Sequence, residues 1–232
     1  MKRTLFALIS LFALGLAALA AEPQRYCLDV KDFAELKIID GLNVEWRSHP
    51  DSVGLVTFTT TPDIVPNIML QNNKKTLKIQ LADTDFPLRH LPKITVYSSF
   101  LSKAENSGDS TLTVVNPPAS AELKLRVVGN GTLTATGIHA TTVEAKIDTG
   151  RGQITLDGQA QWVKLRNVGT GNINAAGLKA EKGSLTIGGT GDIECQVSSE
   201  LTVTGLGSGK VYCTGNPATK NRTLGTVKVV YK

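Results

Sequence analysis

The sequence predicts an all-β protein, a right-handed parallel β-helix (solenoid) of about 20-residue turns, with an N-terminal strand-rich part that continues or caps it. Three observations predict this. A Gly-x-Gly element recurs through the second half of the chain. Short stretches of alternating apolar residues lie between its copies, with no sustained helical periodicity beyond the first 20 residues. The composition is rich in Gly, Thr, Val, Leu and Ile, with only 5% aromatic residues, a profile of strands and turns.

The N-terminus is set aside first. Lys2 and Arg3 precede a continuous apolar run from Leu5 to Ala20, and Ala18-Leu19-Ala20 has the small-x-small form read by a signal peptidase. Residues 1–20 are expected to be a secretory signal peptide, since the run is short of the roughly 20 residues that span a bilayer. Export to the periplasm, the outer cell envelope or the medium follows, with no later transmembrane segment. Removing Lys2 and Arg3 lowers the formal net charge from +5 to +3. That weak charge, on basic residues that look scattered along the chain, argues against nucleic acid as a partner.

Residues 21–116 form an N-terminal β-strand region, and 117–232 the glycine-cornered solenoid, read together as one continuous domain. In the N-terminal region Leu36-Lys37-Ile38, Leu42 to Trp46, Val53 to Thr60, Leu77 to Leu81 and Ile94 to Tyr97 alternate or carry β-branched residues. Asp40-Gly41, Asn72-Asn73 and Phe86-Pro87 are turn signals, and Asn116-Pro117-Pro118 is the clearest break. Asn106-Ser107-Gly108-Asp109 looks like a first, irregular copy of the glycine corner.

Beyond residue 120 the paired glycines are 129/131, 150/152, 169/171, 189/191 and 207/209. Two residues after each pair comes Leu133, Ile154, Ile173, Ile193 or Val211, and two further on Ala135, Leu156, Ala175, Cys195 or Cys213. A further glycine follows at 137, 158, 177 and 215, with Val197 as the exception. Stacked coils would turn each series into one inner column, with glycine at the corners for bends that need positive φ. An antiparallel sandwich of hairpins is the alternative, but two unequal glycine positions per repeat fit a coil better. The closing strand Val227 to Lys232 carries lysines that discourage further strand addition.

Phe33-x-x-Leu36-x-Ile38-x-x-Gly41-x-x-Val44, then Leu77-x-Ile79, then Ile94-x-Val96 followed by Leu101, and finally the Gly-x-Gly corners, occur in a distinctive order. Over about residues 30–215 this order resembles the bacterial putative auto-transporter adhesin head GIN domain. Only Gly207-Ser208-Gly209 keeps the Gly-Ser-Gly corner typical of that family. The resemblance implies a β-helical cell-envelope protein with a proposed adhesive role and no catalytic residues to carry over.

The residues themselves point the same way. His49, His90 and His139 are isolated, without cysteine or histidine partners at metal-ligand spacing, and no cofactor is expected. Cleavage of a polysaccharide, the enzymatic alternative on a β-helix, needs converging carboxylates. Asp148, Asp157, Asp192 and Glu194 fall at four different places in the repeat and form no column. Cys195 and Cys213 occupy the same place in adjacent repeats, as a disulfide or a buried thiol pair; parallel in-register side chains favour thiols. Cys27 is a third, odd cysteine. Asn130, Arg151, Thr170, Thr190 and Ser208 sit at equivalent corners, either as a ligand-facing polar ladder or simply as residues suited to tight turns. The expected function is that of an exported, non-catalytic, adhesin-like binding module for a glycan or an envelope protein. Self-assembly through the solenoid ends into a homo-oligomer is the structural alternative.

Overall fold

The computed structural model describes residues 22–83 and 90–232. The expected signal peptide lies outside the described residues. The chain is nearly all β, a solenoid whose regular part makes about six turns at a spacing of about 20 residues. In chain order the first strands are β1 (Gln24–Asp29), β2 (Glu35–Ile38), β3 (Val44–Arg47), β4 (Leu55–Thr60), β5 (Ile68–Asn73) and β6 (Thr76–Leu81). There follow β7 (Ile94–Tyr97), β8 (Lys103–Asn106), β9 (Thr111–Val115), β10 (Ser120–Val127), β11 (Thr132–Ile147) and β12 (Gln153–Asn167). The last are β13 (Asn172–Ile187), β14 (Ile193–Gly205), β15 (Lys210–Thr214), β16 (Ala218–Thr223) and β17 (Lys228–Tyr231).

Each regular coil lays one segment on each of two parallel walls. The first wall stacks β6, β2, β8, β10, the C-terminal parts of β11 to β14, and β16. The second wall stacks β7, β3, β9, the N-terminal parts of β11 to β14, then β15 and β17. A Gly-x-Gly corner leads from first wall to second, and a short side such as Ile138–Thr141 leads back. Both walls run through residues 116–117 unbroken.

The alternation of apolar residues becomes columns. Leu133, Ile154, Ile173, Ile193 and Val211 are partners in register, rung on rung. The same column continues through Leu112, Val44 and Ile94 at one end and Val229 at the other. From Ile94 to Val211 every member is at most 1% exposed. Each such aliphatic contributes on the order of 1.5–3 kcal/mol by leaving water, but only because a neighbouring coil covers it. A second column on the first wall runs Leu77, Leu36, Ala104, Leu125, Ala145, Leu165, Leu185, Val203.

Two asparagines interrupt the apolar columns. Asn106 and Asn167 point into the core at the end of a first-wall strand, both fully buried. Asn106 Nδ2 donates to the carbonyls of Ser110 (2.8 Å) and Thr132 (3.0 Å), and its Oδ1 accepts from Gly108 N–H (3.1 Å). Asn167 Nδ2 donates to Gly171 O at 2.6 Å. Both tie down the corner that follows them, where backbone carbonyls turn out of the ladder and need donors.

The reason for glycine at the corners differs from the expected one. Among the Gly-x-Gly glycines, positive φ occurs only at Gly129 and Gly150. Close approach explains the others: a Cβ on Gly171 would lie 1.7 Å from Gly152 O of the coil beneath, and one on Gly191 1.7 Å from Gly171 O. The corners stack carbonyl on Cα, leaving no room for any side chain. Positive φ matters instead at the opposite bend, where Gly158 has φ +133°.

The N-terminal region both continues and caps the solenoid, and in an order that chain sequence does not suggest. The coil β2–β3 is inserted between β6–β7 and β8–β9. The outermost coil is therefore β6–β7, and antiparallel strands cover its edges. β5 pairs with β6, β4 pairs with β7, and β1 pairs with β4. Tyr26 of β1 stacks on Phe58 of β4 at 5.5 Å between ring centroids. Antiparallel hairpins end the parallel stack and keep it from templating further chains. The other end, β16 and β17, carries Lys220, Arg222 and Lys228, with Lys232 just beyond, and no acidic residue in either strand.

Candidate binding face

The corner residues Asn130, Arg151, Thr170, Thr190 and Ser208 are all exposed, at successive corners along one edge of the first wall. Two of them spend their polar groups on the stack: Asn130 Oδ1 accepts from Arg151 N–H (3.1 Å), and Thr170 Oγ1 donates to Gly150 O (3.2 Å). Cys195 and Cys213 are register partners, both buried and unbonded, and Cys27 is exposed and unbonded. Burial, reinforced by the neighbouring Cys213, pushes the Cys195 thiol far above its ordinary pKa, so it stays protonated and inert.

The acidic residues considered for polysaccharide cleavage are dispersed, and three of the four are engaged, Asp157 standing exposed on β12. Asp148 is held by Arg126 and by Lys146 Nζ at 2.7 Å. Asp192 Oδ1 accepts from Lys210 N–H at 2.6 Å, and Glu194 pairs with Lys232 at 3.2 Å. Among the described residues no group of three His, Cys, Asp or Glu side chains converges as a metal site. His139 sits with its Nδ1 3.1 Å from Gly137 O and lines a shallow groove of about 550 Å³ on the short side, with Ser120, Thr141, Gln159, Gln161 and Lys179.

The charge distribution corrects one expectation. The basic residues look scattered in sequence, yet register gathers many of them on the outer surface of the first wall. One outward column reads Thr76, Glu35, Lys103, Lys124, Glu144, Lys164, Ser184, Thr202, Lys220; the next reads Lys78, Lys37, Glu105, Arg126, Lys146, Arg166, Thr186, Thr204, Arg222. These two columns hold ten basic and three acidic residues, a net +7. Residues 21–232 as a whole carry only +3. The residues outside these two columns therefore carry a net −4 between them.

The wall has two electrostatic halves. Toward the capped end the cations are neutralised locally. Glu105, 2% exposed, receives Lys37 Nζ at 2.9 Å, Arg126 Nη1 at 3.1 Å and Ser107 Oγ at 2.9 Å. Burial opposes its ionisation, but the Lys37 and Ser107 hydrogen bonds and the charges of Lys37 and Arg126 prevail and hold its pKa down at about 2. Arg126 continues the chain to Asp148 through Nε at 2.5 Å. This ladder fastens four successive rungs, β2, β8, β10 and β11, through their outer faces.

Midway along the wall the balance changes. β12 presents Trp162, Lys164 and Arg166 outward in alternation, all exposed. Trp162 is 47% exposed, and Lys164 Nζ lies 5.8 Å from its ring centroid. Among the described residues neither Lys164 nor Arg166 makes an ion pair. Their rung neighbours are Lys182, Ser184 and Thr186 on one side and Thr142, Glu144 and Lys146 on the other. The stripe thus sets a half-exposed indole beside two cations that make no ion pair.

The sequence over residues 32–217 matches the family model described as putative auto-transporter adhesin, head GIN domain. The chain belongs to this family. The head GIN domain resembles a solved putative adhesin from Bacteroides fragilis, with TM-score 0.81 and 23% identity over 90% of this chain and 97% of that one. It also resembles a putative lipid binding protein (TM-score 0.71, 17% identity, 90% and 97% covered) and a putative adhesin (TM-score 0.70, 20% identity, 91% and 98% covered), both from Parabacteroides distasonis. At these identities the likeness shows the shared solenoid fold. No curated protein matches the chain. No helix among the described residues is long and apolar enough to cross a membrane.

The head GIN domain's basic wall was the feature that reading along the chain passed over. Its signal is present once the repeats are aligned: Lys124-Leu125-Arg126, Glu144-Ala145-Lys146 and Lys164-Leu165-Arg166 occupy equivalent places, each alternating with the inward column. Charge counted along the chain conceals what charge counted per rung reveals.

Proposed function

We propose that the chain is exported and acts as a non-catalytic, adhesin-like binding module that engages a glycan or a protein of the cell envelope through an outer wall of its solenoid. The observation that carries this reading is the first wall, a surface with net +7 in two columns and a half-exposed Trp162 at its centre. Exposed aromatic and arginine side chains on a rigid scaffold are the usual anchors of binding surfaces. The corner residues Asn130, Arg151, Thr170, Thr190 and Ser208 border this wall and would contact the rim of the same partner. The apolar leader at residues 1–20 and membership of a family described as an adhesin head support export.

The enzymatic alternative draws little from the site, because Asp148, Asp192 and Glu194 are each occupied by a neighbouring donor. Assembly through the β16–β17 end is opposed by the cations Lys220, Arg222 and Lys228 on its strands. The test is a glycan and envelope-fraction binding screen with residues 21–232, beside a polysaccharide degradation assay. Saturable binding without release of reducing ends or unsaturated sugars is expected. Turnover of any polymer at a rate that scales with protein concentration would overturn the proposal.

A further inference from the structure

We infer that the Trp162–Lys164–Arg166 stripe of β12 is a binding site for an acidic polysaccharide, with Trp162 stacking on a sugar ring and Lys164 and Arg166 holding its carboxylates or sulfates. This rests on the binding-module reading and deepens it by naming the site and the ligand class.

Four observations converge. First, Trp162 is a large apolar side chain left 47% exposed on the outer side of a sheet, and its exposed indole surface suits the apolar C–H face of a pyranose ring. Second, Lys164 and Arg166 are the cations of this wall's centre that the described residues leave without an ion pair, whereas Lys37, Arg126, Lys146 and Lys182 all have one. Leaving these two uncompensated costs self-repulsion, which a polyanion would relieve. Third, the next rungs offer hydroxyls, with Ser184 beside Lys164 and Thr186 beside Arg166, then Thr202 and Thr204. These donors suit sugar hydroxyls and ring oxygens. Fourth, successive rungs repeat at about 4.8 Å, close to the advance of one pyranose residue. A chain lying along the solenoid axis thus meets one polar position per sugar on each coil, cationic on β12 and hydroxyl on the next two rungs.

Charge complementarity selects an anionic ligand, and the hydroxyl rungs favour a glycan over a lipid surface. A membrane-docking face would be expected to present several apolar side chains for insertion. Here Trp162 stands among charged and hydroxyl neighbours.

The experiment measures binding of residues 21–232 to polygalacturonate and to heparin by isothermal titration calorimetry at about 50 and 300 mM salt, with dextran as the neutral control. Phosphatidylcholine vesicles with and without phosphatidylglycerol form a separate arm. The expected result is saturable binding to at least one acidic polymer, weakened by salt, and none to dextran. Trp162→Ala and the pair Lys164→Gln/Arg166→Gln should each weaken binding at least tenfold with melting temperature unchanged. The pair Lys74→Gln/Lys75→Gln, equal in charge but on the β5–β6 turn, should change it less than twofold. The polymer preferred tells carboxylate from sulfate recognition. The site assignment is overturned by no binding to either polymer, by equal losses in both lysine-containing pairs, or by Trp162-dependent binding to anionic vesicles alone. If a neutral glycan or an envelope protein binds and the Trp162 and Lys164/Arg166 variants bind it normally, this inference falls while the binding-module reading stands.

Discussion

Replacing Gly171 by alanine tests how the coils are held together. The added Cβ would sit 1.7 Å from Gly152 O, against a practical limit of 3.0 Å, so the two coils must part there by about 1.3 Å. The obstacle is backbone on both sides, and no rotamer relieves it. That movement stretches the bonds Gly171 N–H to Gly150 O (3.2 Å) and Asn172 N–H to Gly152 O (3.1 Å) beyond useful length. Two lost hydrogen bonds cost about 1 kcal/mol each, and the overpacking strain adds about 1–3 kcal/mol. At roughly 2–4 °C per kcal/mol for a chain of this size, Gly171→Ala should lower the melting temperature by about 10 °C. Gly41→Ala, whose Cβ meets nothing within 4 Å, is the matched control and should shift it by less than about 2 °C. Thermal unfolding followed by circular dichroism decides. A Gly171→Ala protein that melts with the wild type would refute carbonyl-on-Cα stacking as the reason for these glycines.

Two further predictions concern buried polar groups. Glu105 has a folded pKa of about 2, below its ordinary value of 4.5, so its stabilisation is complete above about pH 4.5 and is lost as pH falls toward 2. With screening at the partly exposed Lys37 and Arg126, it amounts to about 2 kcal/mol. Glu105→Gln should melt lower than wild type at pH 7, and the gap should close by pH 2; a gap that persists at pH 2 contradicts the ion-pair ladder. Thiol titration of the native protein should find one reactive cysteine, Cys27, and three after unfolding without reductant. One thiol after unfolding would instead reveal a Cys195–Cys213 bond.

Much of the solenoid was legible because its repeat is carried by residue types with little freedom. Leu133, Ile154, Ile173, Ile193 and Val211 recur at a fixed offset from the corner, and only in-register stacking buries all five. The insertion of β2–β3 between later coils was not legible. Leu36 pairs equally well with Leu77 on one side and Ala104 on the other, and an apolar column does not record the order of its members. The basic wall was hidden for a related reason. Lys37, Arg126, Lys146 and Arg166 are far apart in sequence and become neighbours only through parallel register. Asn106 reads as a corner residue, yet it and Asn167 are buried clamps, a role set by the coil that closes over them.

Rung order is measured most directly by crosslinking across the inserted coil. In a Cys27→Ser background, Glu35→Cys with Lys103→Cys places two thiols on adjacent rungs, whereas Thr76→Cys with Lys103→Cys places them two rungs apart with Glu35 between. A bifunctional thiol reagent spanning about one rung, about 5 Å, should join the first pair in high yield and leave the second unjoined. Efficient joining of Thr76→Cys to Lys103→Cys, with none for Glu35→Cys, would mean that the coils stack in simple chain order.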